Sequence, residues 1–426
     1  METLTGWIGS INDILWSHVL VAALLGCAVW FTLRTRGVQF RMLREMVRVL
    51  GEPSGSAPGG ERHVSSFQAF AVSLASRVGT GNLAGVATAI AVGGPGAVFW
   101  MWVVALLGGA SAFIESALAQ VYKKKDGKGG CVGGPSYYME QALHQRWLGV
   151  IFAVVLILTY VVGYNMLASY NLQDAFVGFG FYAKGRTPYI IGAILAVLFA
   201  ACVLGGGKRL TNITGVLVPV MGVLYILVSL VVIFMNIKIF PSVIANIFRD
   251  AFNFKAAFSG FAGSCIMWGI KRGLYSNEAG MGSTPHAHAL AKVNHPREQG
   301  AVAILGVFID TFVVLTLTGL VLITSGLIPD GLTGTALTQA AFSQAFGGFG
   351  PVFIAICMFF FAFSTIIGWY FFGQSNFKAL FGEKALPVYS VIVVVFILVG
   401  STLKNAISAL SVFTPYLVKR SRPIRP

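Results

Sequence analysis

Gly79, Thr80, Gly81 and Asn82 stand together inside an apolar stretch, Phe67–Val92. Glycine weakens a helix, and polar side chains are costly in hydrocarbon. Their adjacency points to backbone that leaves the helix and offers its N–H and C=O groups to a ligand. A second stretch, WGIKRGLYSNEAGMGSTP, repeats the feature with Gly269, Gly273, Asn277, Gly280 and Gly282, and with Lys271, Arg272 and Glu278 among them. Irregular backbone at membrane depth is tolerated only where it lines a protein cavity. The start of a half-helix carries partial positive charge and free N–H groups, which suit a carboxylate. The end of the other half exposes carbonyls, which suit a sodium ion. Glycines let a small ligand touch backbone, so a zwitterion with a small side chain fits. Gly85 and Gly108 read as packing contacts. GTGNLAG brushes against the dinucleotide pattern GxGxxG, but three residues precede its last glycine and no βαβ context surrounds it.

These stretches need a membrane around them, and composition supplies one. The chain has 426 residues, 56% hydrophobic and 11% charged. A soluble protein of this length has about 25% charged residues. Apolar runs near the bilayer-spanning length of about 20 residues recur. The net charge of +15 sits in short loops, which argues for the positive-inside rule rather than for nucleic acid. The five cysteines form no CxxC pair, so neither a disulfide framework nor a zinc site is expected. The N-terminal stretch has no basic n-region and cleavage site, and no removable signal peptide is expected.

The pattern predicts an all-α membrane protein with about 11 transmembrane helices. The spans are His18–Leu33, Phe67–Val92, Ala97–Tyr122, Trp147–Phe176, Tyr189–Leu204, Gly215–Met235, a seventh from near Ala256, Ala301–Leu322, Pro351–Phe372, Leu386–Thr402 and a short piece, Ala406–Val418. GGPG at Gly93–Gly96 reads as a tight turn. If the first linker is cytoplasmic, cytoplasmic loops and the tail hold 23 Lys and Arg against 6 outside, which predicts an outside N-terminus and a cytoplasmic C-terminus. Residues 1–33 then form a peripheral helix and 34–66 a basic linker. Residues 67–235 and 236–418 form two five-helix units, and 419–426 a basic tail. Each unit begins with its broken helix. An odd number of crossings inverts the second unit, which is the arrangement of a secondary transporter with its site at the two breaks.

RVGTGNLAGVATAIAVGGPGAVFWMWV, GGPSYYME, YSNEAGMGSTP and FAFSTIIGWYFFG resemble the alanine/glycine:cation symporters, also called sodium:alanine symporters. The resemblance runs from about Trp16 to Leu403. It implies a leucine-transporter-like fold of the APC superfamily, with one peripheral helix and a 5+5 inverted repeat. It also implies sites. The backbone at Val78, Gly79, Thr80 and Gly81 would receive the substrate carboxylate. Carbonyls of Ala75 and Val78, with the hydroxyls of Ser364 and Thr365, would hold sodium. Asn82 sits where a related transporter uses asparagine for another sodium. Gly269, Ile270, Gly273 and Ser276 would line the amino or side-chain end, and Trp369 would cap a small pocket. The chain departs from the family at Ala168, where many members carry glutamine. The lost polar contact is absent or moved to Asn165, Ser169 or Asn171. The C-terminal stretch departs as well, since its last apolar piece is short.

Arg77, Glu115, Asp174, Glu278 and Asp310 fall at or near membrane depth and are candidates for function or for structural pairing. His286 and His288 lack ligand-spaced partners for a metal and read as a loop or interfacial pair. No triad or paired-carboxylate arrangement appears, so an enzyme is not expected. A channel is disfavoured because each break occurs once per half and not as a ring. The expected activity is sodium-coupled symport of alanine or glycine at a cell membrane, with Na+ as the coupling ion and no bound cofactor. Proton coupling, or serine or glutamine as substrate, is the alternative.

Overall fold

The computed structural model describes residues 14–52, 64–125, 130–204, 206–253, 265–328 and 331–403. Helices dominate, because apolar chain in a bilayer must satisfy its backbone internally. Six helices among the described residues are long and apolar enough to cross a membrane, and three shorter apolar helices accompany them. Besides short helices at Val38–Arg41 and Pro135–Ala142 and a strand pair, Lys124–Lys125 with Cys131–Val132, the main helices in chain order are α1 (Val21–Arg34), α2 (Leu43–Leu50), α3 (Ser66–Arg77), α4 (Val86–Gly93) and α5 (Ala97–Val121). There follow α6 (Arg146–Asp174), α7 (Thr187–Val203), α8 (Gly206–Met235), α9 (Phe240–Ala251) and α10 (Cys265–Asn277). The remainder are α11 (Pro285–His288), α12 (Pro296–Ser325), α13 (Gly334–Phe346), α14 (Phe349–Phe381) and α15 (Leu386–Ser401). The last expected crossing, Ala406–Val418, lies outside the described residues.

Burial sorts the long helices. The apolar windows of α14 and α12 are 72% and 67% buried, whereas those of α8 and α15 are 33% and 28% buried. The first pair therefore forms the centre, and the second faces lipid. The linker 34–66 is not featureless. Its helix α2 buries Met46 and Val49 against the bundle and turns Leu43 and Val47 outward. Two elements follow no strong sequence signal: α9, and α13, which closes over the first break with Thr338 Oγ1 donating to Leu83 O at 3.2 Å.

Local chemistry sets the ends near the site. Ser65 Oγ accepts from Gln68 N at 3.0 Å, and Gln68 Oε1 accepts from Ser65 N at 3.0 Å. This capping box starts α3 and contributes about 1 kcal/mol. The expected GGPG turn is present: Gly94 takes φ +89°, and Gly96 N donates to Asp250 Oδ2 at 2.7 Å, docking the turn on α9. Lys271 and Arg272 lie within α10 and not in a loop.

Candidate functional site

The first break lies where the glycines place it. Helix α3 ends at Arg77, and Val78 leaves helical backbone with ψ 89°. Helical structure resumes with a wide π turn at Gly81–Gly85. Gly79 N would be the helical partner of Ala75 O, but it donates instead to Asn82 Oδ1 at 3.0 Å. The Ala75 carbonyl is thereby released from its i+4 bond. Asn82 Nδ2 donates to Asp310 Oδ1 at 2.7 Å. Ser276 Oγ reaches both oxygens of the same carboxylate, at 3.0 and 2.9 Å. Asp310 thus joins the first break to the end of α10.

The second break lies in the C-terminal part of the stretch that the sequence reading marks, at Glu278, Gly280 and Gly282, and not at Gly269 and Gly273. Helix α10 runs unbroken to Asn277, and the backbone opens at Glu278–Thr284. Positive φ falls on Glu278 (51°), Gly280 (81°) and Gly282 (77°). Glu115 holds this loop, accepting from Gly280 N at 3.2 Å and Gly282 N at 3.0 Å. Gly269, Ile270 and Gly273 are corrected accordingly. A Cβ on Gly269 would lie 2.5 Å from Ala97 O, and one on Gly273 3.2 Å from Met101 Cα. Both glycines let α10 approach α5. Ile270 packs with Val21, Val104 and Leu274. None of the three faces the break.

Between the breaks lies a cavity of about 10 Å³, lined by Ser76, Arg77, Gly79, Thr80, Gly81, Tyr164, Tyr275, Ser276, Glu278, Thr365 and Trp369. This is about the space of one water. Tyr164 closes it, with its ring centroid 5.2 Å from Trp369 and 5.1 Å from Tyr275. On α14, Thr365 Oγ1 is buried and has no hydrogen-bond partner among the described residues. It lies 2.2 Å from where a Cβ on Gly79 would stand. Ala75, Val78, Asn82 and Ser364 are buried nearby without lining the cavity. Ser364 Oγ donates to Phe361 O at 3.1 Å. Of the three polar residues near Ala168, Asn171 alone reaches the break, donating to Thr80 Oγ1 at 3.2 Å. Asn165 donates to its own helix at Val161 O, 3.0 Å, and Ser169 Oγ is buried without a partner among the described residues.

The profile of the sodium:alanine symporter family matches residues 1–412. The chain belongs to this family. It is 44% identical over 399 residues to a protein of Bacillus subtilis (strain 168) named probable sodium/glutamine symporter GlnT, covering 93% of this chain and 82% of that one. It is 40% identical over 405 residues to the sodium/alanine symporter AgcS of Methanococcus maripaludis, covering 93% and 88%. The crystal structure of MhsT in complex with L-phenylalanine superposes with a TM-score of 0.57 at 16% identity, over 85% of this chain and 81% of that one, so the leucine-transporter-like fold is shared. The symporter is a multi-pass membrane transporter and not an enzyme.

Several residues of the symporter's site carry only a weak sequence signal. Glu278 and Asp310 are marked by charge at membrane depth, but their partners come from four separate elements. Tyr164 and Tyr275 look like ordinary apolar-span aromatics. His286 and His288 are buried, which corrects the expected interfacial placement. His286 Nδ1 meets Ser283 O at 2.7 Å and its Nε2 meets Asn376 Nδ2 at 2.8 Å, while His288 Nδ1 meets Gln299 Oε1 at 2.9 Å. Among the described residues no cluster of three or more His, Cys, Asp or Glu is placed to hold a metal.

Arg77 turns away from the cavity's centre. Its Nη1 donates to Ala303 O at 3.1 Å and its Nη2 to Thr284 Oγ1 at 3.0 Å. Nη1 also lies 2.1 Å from where a Cβ on Gly306 would stand. Arg77 therefore ties α3 to α12 and to the inner end of the second break. Arg77→Ala is expected to lower the yield of folded protein and the maximal uptake rate about tenfold, from lost buried hydrogen bonds to a charged group. The rank order of substrates in a competition panel should stay as in the wild type; a reordered panel at unchanged yield contradicts this role.

Proposed function

We propose that the chain carries alanine or glycine together with sodium by alternating access, with the first break as the shared binding element. The observation that carries this reading is the Ala75 carbonyl released from its helical bond in the same break whose Gly79 packs on the Thr365 hydroxyl, which has no partner among the described residues. With the Val78 carbonyl and Ser364, these are hard oxygen donors of the kind a sodium ion takes. Asn82 N already donates to Gly79 O at 3.0 Å; Thr80 N and Gly81 N, which open the turn ahead of it, have no preceding helical carbonyl of their own and suit the substrate carboxylate. Sodium held by Ala75 and Val78 fixes the backbone that carries these N–H groups. Ion binding therefore raises substrate affinity, and the reverse holds by linkage. Tyr164, Tyr275 and Trp369 leave room for a small side chain only, and even alanine requires them to part.

In this reading the chain crosses the membrane eleven times as a 5+5 inverted repeat. Residues 1–33 lie at the periphery, 67–235 and 236–418 form the two units, and the N-terminus faces outward. Purified protein in liposomes should accumulate labelled L-alanine under an inward sodium gradient. Equal accumulation with potassium in place of sodium, at constant membrane potential, refutes the coupling. GlnT, at 44% identity, supports glutamine as a second reading. Excess unlabelled glutamine that competes better than alanine or glycine decides for it.

A further inference from the structure

Glu278 is the one carboxylate that lines the cavity. Its Oε2 accepts from Ser76 Oγ and Ser283 Oγ, both at 2.9 Å, and its Oε1 accepts from Trp369 Nε1 at 3.2 Å. All three donors are neutral. A carboxylate has about four acceptor positions, so one remains open on a group that lines the cavity. Ser76 Oγ also lies 2.9 Å from Ser73 O, and its single proton serves one of these two acceptors at a time. Among the described residues no Lys or Arg forms an ion pair with Glu278. Arg77 acts on it only through space, its own N–H groups being directed to Ala303 and Thr284. A buried carboxylate without a contacting cation is expensive. This one is held in left-handed backbone, φ 51°, a conformation that a side chain other than glycine, asparagine or aspartate rarely adopts.

We infer that Glu278 is the acceptor for the substrate's α-ammonium group. The inference rests on the reading of this cavity as the amino-acid site and deepens it. The zwitterion then lies across the two breaks, its carboxylate on the N–H groups after Gly79 and its ammonium on Glu278. The loop at Glu278–Thr284 exists to place that carboxylate, and Glu115 holds the loop. The substrate class follows: a free, cationic α-amine is required, and a hydroxy acid of the same shape is rejected because it leaves Glu278 without its cation.

The test is titration of purified protein in sodium with L-alanine and, separately, with L-lactate, which replaces the ammonium by a hydroxyl. Sodium affinity is measured alongside without either ligand. Glu278→Gln is expected to weaken alanine binding about 10- to 100-fold, the worth of a hydrogen bond between charged groups. Sodium affinity should stay within about threefold of wild type, below the about 1 kcal/mol scale of a neutral hydrogen bond, and lactate affinity should hold or rise, since the variant removes the unpaired carboxylate that rejects it. An unchanged ratio of alanine to lactate affinity overturns the assignment, as does an equal loss of alanine and sodium binding. If Glu278→Gln does not fold, Glu278→Asp is read in its place. It moves the carboxylate back by one methylene and should weaken alanine selectively, while equal weakening of alanine and lactate overturns the assignment. Wild-type protein that shows no sodium-driven uptake speaks against the symport reading itself. Wild-type uptake combined with unaltered selectivity in the variant speaks against Glu278 alone.

Discussion

Gly79→Ala is expected to abolish sodium-driven uptake. The added methyl would stand 2.2 Å from Thr365 Oγ1 and 3.3 Å from Thr365 Cβ and Cγ2. Thr365 is buried on α14 and β-branched, so it has few rotamers into which to retreat. The contact is relieved only by pushing the break away from α14, at about 1–3 kcal/mol. That displacement moves the Ala75 and Val78 carbonyls away from the hydroxyl with which they would share sodium. Uptake at matched incorporation into liposomes is the measurement. Gly79→Ala combined with Thr365→Ala should recover folded yield without recovering sodium dependence, since it removes the clash and the hydroxyl together. Uptake by Gly79→Ala at half the wild-type rate or more rules out a shared site at this contact.

Asp310→Ala is expected to raise the sodium concentration for half-maximal uptake by about 10- to 100-fold, from the loss of charge-assisted hydrogen bonds. The effect travels through a short chain of contacts. Asp310 holds Asn82 Nδ2, Asn82 Oδ1 holds Gly79 N, and that last bond frees the Ala75 carbonyl. Without the carboxylate, Gly79 N is free to return to its helical partner. Asp310→Asn keeps the shape and one acceptor oxygen and should fall between wild type and Asp310→Ala. Asp174→Asn is the control. Its carboxylate meets Tyr170 Oη at 3.5 Å near the end of α6 and does not line the cavity, and its sodium dependence should match wild type. A full sodium response in Asp310→Ala refutes the relay.

Much of the architecture is legible in the sequence because hydropathy alone marks long lipid-compatible helices. The first break is legible because two glycines, a threonine and an asparagine are adjacent. The second is legible only as a stretch, because glycine does two jobs that look alike in one dimension. Gly269 and Gly273 bring helices together, whereas Gly280 and Gly282 take positive φ. Only the tertiary neighbour, α5, separates the two roles. The same limit applies to acidic residues at membrane depth. Glu115 shapes a loop, Asp310 joins the first break to the end of α10 and Glu278 lines the cavity, and each choice depends on partners far away in the chain. Arg77 gains partners only when α12 folds against α3.

The contact between α3 and α14 is reciprocal. At one point the hollow is Gly79 and the filling side chain is Thr365. One turn away the hollow is Gly368, and a Cβ there would meet Ser76 N at 3.0 Å. The segment 76–79, at the end of α3, and helix α14 each offer one notch and one tooth, three residues apart, and the pair meshes like a keyed joint. Axial sliding drives a tooth into the backbone of the opposite helix in either direction. Lifting the helices apart, or rocking one on the other, meets no such obstruction. The packing therefore favours hinge-like separation over shear between these segments, and Gly79 and Gly368 set that geometry.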